Sequence, residues 1–156
     1  MKIRNGFVSN SSSSSFLIIH ENDTLMDKEF ILELCYPELE IENNILYVSS
    51  TTESHVYFGW DKNIINSVVA KIIFSLLQSK YLSEEYFDML YQTICAYFGV
   101  SSVIFDIPED AYIDHQSAAS DGQNTQMFSD VETLKKFLFG KDSMIVTGND
   151  NESSWK

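Results

Sequence analysis

Apolar residues recur at spacing four along Ile64, Val68, Ile72 and Leu76, and again along Ile65, Val69, Ile73 and Leu77. Two adjacent rows of this kind make a wide apolar stripe, which predicts the central helix of the fold, with Asp61 as its N-cap. Ser83, followed by Glu84 and Glu85, caps a second helix, and Phe87, Leu90, Ile94 and Phe98 keep the same period until Gly99 ends it. The two together predict a helical hairpin over residues 61–99.

Short β-rich runs surround it. Residues 16–20 read as a buried strand, and residues 45–50 and 55–60 as two antiparallel neighbours joined by the polar spacer 51–54. Residues 102–107 form a strand stopped by Pro108, residues 111–114 a second short one, and residues 144–147 the last. Two shorter helices complete the pattern. One starts at Asp23 or Thr24 and stops before Pro37, because a proline pushes the preceding residue out of the helical region. The other opens with the capping box Ser129-Asp130-Val131-Glu132, buries Leu134, Phe137 and Leu138, and ends at Gly140. The expected class is α+β: a mixed, mainly antiparallel sheet of five or six strands packed against the central helical hairpin.

A chain of 156 residues with 44% hydrophobic positions suits one globular domain, residues 1–156 with a short polar C-terminal tail. Ten Lys and Arg against 23 Asp and Glu leave a net charge of −13. That charge repels phosphate backbones and anionic lipid heads, so direct nucleic-acid binding and polybasic membrane attachment are not expected. Lys2 and Arg4 imitate the charged start of a signal peptide, but Gly6-Phe7-Val8 and serines follow instead of an apolar stretch. Residues 64–77 are broken by Asn66, Ser67, Lys71 and Ser75 and fall short of a membrane span. Two cysteines, Cys35 and Cys95, supply neither a disulfide framework nor a four-ligand zinc set, which points to a reducing compartment.

Three polar segments could carry chemistry. The run Ser9-Asn10-Ser11-Ser12-Ser13-Ser14-Ser15 has the composition of a flexible lead-in, yet it is flanked by Phe7-Val8 and Phe16-Leu17-Ile18. Its hydroxyls and backbone N–H groups could equally form an anion-binding nest or accept a modification. After a strand, Asp114-His115-Gln116-Ser117 gathers a carboxylate, an imidazole, an amide and a hydroxyl, and His115 could act as general acid or base with Asp114 orienting it. Adjacent strand residues point to opposite faces, so an ordinary loop histidine is the plainer alternative. Gly148-Asn149-Asp150-Asn151 reads as a turn, lacking the spacing of a calcium loop. His20 and His55 read as strand-end residues. Tyr81, Tyr86, Tyr91 and Tyr97 read as core, with exposed aromatic surface for a partner as the alternative. No metalloprotease, zinc, nucleophile-elbow or P-loop motif is present, and no cofactor is implied.

The opening as a whole, Arg4-Asn5-Gly6-Phe7-Val8-Ser9-Asn10 with Ser11 to Ser15 and Phe16, resembles the start shared by a group of tailed-bacteriophage proteins without an assigned activity. Residues 113–117 and 146–151 resemble further segments in some members. The resemblance implies a phage origin, hence the host cytoplasm, and implies that the three segments belong to one site. Asn10, Ser11, Ser12, Ser13, His115 and Asp150 would then line a pocket for a small polar or phosphate-bearing ligand. The expected function is that of a phage accessory protein binding a host or phage protein, with a basic or nucleic-acid-binding partner suiting the acidic surface. A small hydrolase or transferase on a nucleotide-like ligand, using His115, is the alternative, and a virion component the third.

Overall fold

The computed structural model describes residues 13–59, 63–114 and 123–149. Among them are five α-helices and eight strands in mixed sheets, an α+β fold.

The helical hairpin is α3 (Val68–Leu82) and α4 (Glu84–Phe98). Ser83 ends the first and caps the second, accepting a hydrogen bond from the Tyr86 N–H at 3.3 Å. Gly99 closes α4 in the left-handed region at φ 69°, a conformation that glycine adopts without a Cβ penalty. Every residue from Val68 to Ser79 is buried, so α3 is covered on all sides and is the fold's central rod. Its N-cap is Ser67, whose hydroxyl accepts from the Ala70 N–H at 3.3 Å. The expected cap, Asp61, is overtaken because Asn63–Ile65 (β5) is drawn out as an edge strand.

That strand belongs to a three-stranded antiparallel sheet in the order β1 (Ser13–Ile18), β8 (Met144–Asn149), β5. A second sheet runs β2 (Leu39–Glu42), β3 (Ile45–Ser49), β6 (Ser102–Asp106), with β2–β3 antiparallel and β3–β6 parallel. A third ladder pairs β4 (Tyr57–Phe58) with β7 (Tyr112–Ile113) in parallel. The expected sheet of five or six strands is thus divided into three.

The strand expected at residues 55–60 is replaced by a one-turn helix, α2 (Glu53–Val56), followed by the two-residue β4. It does not pair with β3, because both edges of β3 are occupied by β2 and β6. The β2–β3 turn is Asn43-Asn44, at φ 54° and 65°. Asparagine tolerates positive φ at both central positions of a two-residue hairpin turn.

Helix α1 (Lys28–Cys35) starts later than expected, with Asp27 as N-cap accepting from the Phe30 N–H. The preceding segment is held elsewhere: Met26 N–H donates to Phe139 O at 2.9 Å, Lys141 N–H to Thr24 O at 2.9 Å, and the Asp23 carboxylate accepts from Asp142 N–H. Asp130, not Ser129, caps α5 (Val131–Phe139), accepting from the Thr133 N–H at 2.7 Å, a bond that lowers the Asp130 pKa. The Ser129 hydroxyl instead donates back to Gln126 O. Part of the irregular stretch 115–127 is a short 3-10 helix, Gln123–Phe128, that carries the buried Met127 and Phe128. Gly148 and Asn149, expected in a turn, continue β8.

Apolar burial from all these elements meets around α3. Phe58 stands edge-on to Phe74 with ring centroids 5.1 Å apart, and Tyr97 of α4 stacks on Phe139 of α5 at 3.8 Å. The Tyr97 hydroxyl donates to Met26 O, and burial pushes its pKa up to about 12. Among the described residues no helix is long and apolar enough to cross a membrane.

Candidate functional site

The serine run and the C-terminal polar segment are neighbours in one ladder. Antiparallel register sets Ser13 opposite Asn149, Ser14 opposite Gly148 and Ser15 opposite Thr147. On the other side of β8, Asn63 of β5 lies opposite the same Thr147. The polar end of the β1–β8–β5 sheet is therefore assembled from three distant parts of the chain, as alternation within each strand and a shared register require. Ser15 and Thr147 are both buried there.

A cavity of about 320 Å³ opens beside this end, between β5–β8 and the β4–β7 ladder. Glu53, Tyr57, Asn63, Tyr112 and Thr147 are among the residues that line it. Parallel pairing sets Tyr57 opposite Tyr112, which brings the rings to 5.4 Å at a 52° tilt. The Tyr57 hydroxyl donates to Asp110 Oδ1 at 2.9 Å, and this bond to a carboxylate raises the phenol's pKa. Asp114, one of the expected site residues, follows β7 directly, its N–H donating to Phe58 O at 2.7 Å. The third expected segment thus begins at the same ladder whose Tyr112 lines the cavity. Ser13 stands in β1; Asn10, Ser11, Ser12, His115 and Asp150 lie outside the described residues.

A second polar constellation was not expected from the sequence. Ser50, at the end of β3, donates its hydroxyl hydrogen to Glu38 Oε2 at 2.5 Å, and its Oγ lies 3.3 Å from His55 Nδ1. His55 Nδ1 is in turn 3.4 Å from the same Glu38 oxygen. Thr52 adds two bonds, its N–H donating to Ser50 Oγ at 3.2 Å and its hydroxyl to Glu38 Oε2 at 3.4 Å. Helix α2 makes this meeting possible by turning the chain after Thr52, so that His55 comes back over Ser50. In an extended strand, as expected for residues 55–60, His55 would have pointed away. A groove of about 430 Å³ adjoins, lined by Pro37, Glu38, Ser50, Thr51, Asp106 and Pro108 among others.

The third cluster is enclosed. Lys71, fully buried in the middle of α3, donates from Nζ to Ser143 Oγ at 2.7 Å, to Ser143 O at 3.3 Å and to Gly140 O at 3.4 Å. Loss of hydration lowers its pKa to about 8, although the nearby Asp23 favours the charge. The Ser143 hydroxyl donates to Phe137 O at 2.6 Å, so the ammonium ties α3 to the turn after α5. Its only sequence signal was a lysine within an apolar stripe.

Both described cysteines are free, and burial pushes their thiols up, which leaves neither a ready thiolate nucleophile. Among the described residues no group of three or more His, Cys, Asp or Glu is placed to hold a metal ion. No protein-family model matches the chain, and no curated protein or solved structure does either.

Proposed function

We propose that this chain is a bacteriophage accessory protein that works in the host cytoplasm by binding a basic protein of phage or host. The cavity beside the β1–β8–β5 sheet is the seat of a cationic side chain from that partner. The observation that carries this reading is the composition of the cavity wall: Glu53 and two tyrosine rings, with Asp110 held at Tyr57 by a hydrogen bond. An ammonium or guanidinium group is attracted by carboxylates and by the faces of aromatic rings alike. At about 320 Å³ the cavity is at the small end of ligand sites, sized for a side chain rather than for a nucleotide. Glu53 and the net charge of −13 also disfavour phosphate there. A basic partner would associate at a rate raised by the field of the whole surface, an effect that salt removes.

Titration with an arginine-rich peptide, followed by calorimetry, tests the reading. Binding is expected to weaken as salt rises and to fall at least about tenfold in Glu53→Gln and in Tyr112→Ala, as loss of one desolvated cation contact implies. Affinity unchanged in both variants would overturn it.

A further inference from the structure

We propose that Ser50 is the nucleophile of a separate acyl-transfer site, with His55 as its general base and Glu38 as the group that positions both. The proposal is independent of the cationic-partner cavity and of His115. Its three side chains come from different elements: Glu38 precedes β2, Ser50 follows β3 and His55 belongs to α2. They meet with every pairwise distance at or below 3.4 Å. An activated serine requires a base within hydrogen-bond reach and a group that orients it; here a single ring nitrogen, Nδ1, faces both Ser50 and Glu38 and serves them in turn.

Burial makes the cluster reactive in a way a surface triplet would not be. Ser50 is 4% exposed, and the His55 and Glu38 side chains are 17% and 25% exposed. Charge developing on Oγ or on the imidazole is therefore poorly screened by water and strongly felt by its neighbours. The cluster borders the groove, where Ser50 and Glu38 form part of the wall.

The chemistry follows from the contacts. The Ser50 hydroxyl turns from Glu38 to His55, and Oγ attacks an acyl carbon in the groove as His55 Nδ1 takes its proton. The new imidazolium N–H lies within reach of Glu38 Oε2, whose charge stabilises it. Thr52 N–H, already directed at Oγ, favours the developing alkoxide. The Oγ–C bond forms, the bond from carbon to the leaving group breaks, and the leaving group departs with the proton from His55. Water then cleaves the acyl-serine by the same steps, returning the proton to Ser50 and releasing a carboxylic acid. Because Glu38 and Asp106 line the groove beside Pro37 and Pro108, the acyl donor is a neutral or cationic ester or amide rather than an anionic one.

A fluorophosphonate carrying an uncharged linker tests the site on the full chain, since attack by Oγ on phosphorus expels fluoride and leaves a stable adduct. Intact mass and peptide mapping are expected to find one adduct, on Ser50, absent from Ser50→Ala. His55→Ala is expected to slow labelling at least about 100-fold, the usual scale for loss of a general base. Glu38→Gln is expected to slow it less, and serves in place of His55→Ala if that variant does not keep the wild-type circular dichroism. No adduct at Ser50 in folded wild-type protein, or a labelling rate unchanged in the folded variants, would overturn the proposal.

Discussion

Lys71 and Ser50 are both polar, both buried and both joined to several partners, yet their surroundings differ in one respect. Around Lys71 the ammonium ends on three oxygens supplied by Gly140 and Ser143, and Ser143 passes the bonding on to Phe137 O. That network is closed, so its work is to hold the turn after α5 against α3. Around Ser50 the bonds to Glu38, His55 and Thr52 stop at a groove of about 430 Å³. A closed network fixes structure, whereas a half-buried network bordering a groove leaves its residues within reach of a ligand. The cost of each is correspondingly different: a partner lost from the first strands a buried charge, and a partner lost from the second leaves groups that the groove can hydrate.

The largest expected effect falls on the closed cluster. A Cβ added at Gly140 would meet Lys136 O at 2.2 Å and Asp23 Oδ2 at 2.3 Å, distances that force the backbone apart. Gly140→Ala is therefore expected to cost more than about 3 kcal/mol, read by urea denaturation, because overpacking against backbone cannot relax through a rotamer change. The pH dependence comes next. Lys71 has its pKa lowered from 10.5 to about 8, so the unfolded chain binds the extra proton between those values and stability rises with pH. The rise is worth roughly 3 kcal/mol over the full window. Tyr97, raised from 10 to about 12, acts in the opposite direction above pH 10, and Cys35 and Cys95, whose thiols burial raises from 9.0, do so from about pH 9, so the lysine's share is the difference between the wild-type and variant curves. Lys71→Met is expected to flatten the stability curve across that window, and an unchanged slope would break the account of the cage.

Smaller effects sharpen the contrast. Ser143→Ala removes the nearest acceptor of the buried ammonium and should cost about 2 kcal/mol, whereas Ser50→Ala should cost about 1 kcal/mol. Equal costs in chemical denaturation would mean that the Ser50 cluster is as structural as the cage. The smallest effect is spectroscopic: Asp110→Asn is expected to bring the Tyr57 phenol down toward its ordinary titration, followed by absorbance of the phenolate, while the midpoint of Tyr97 stays where burial puts it.

Much of the helical hairpin was legible because its signals are local. Ser83 and Gly99 act through their own backbone neighbours, and the two apolar rows of α3 need no knowledge of what covers them. The start of α3 was misplaced because Asn63–Ile65 was claimed by β8, some eighty residues away. Leu39-Glu40-Ile41-Glu42 alternates as a strand should, but Pro37 marks the end of one element more plainly than the approach to another. At the sites, strand register set Ser15 and Asn63 opposite Thr147, and Asn63 lay in none of the three polar segments. The neighbours of His55 have strand-like character, and only competition for the edges of β3 turned residues 53–56 into a helix.

The sequence by itself determined the class of the fold, the helical hairpin with its caps at Ser83 and Gly99, and the acidic surface, all of which depend on periodicity, residue type or counting. Tertiary structure alone decided the division of the strands into three ladders, the enclosure of Lys71 and the meeting of Ser50, Glu38 and His55. Those depend on which distant backbone groups win each hydrogen-bonding edge, a competition whose outcome no local stretch of residues encodes.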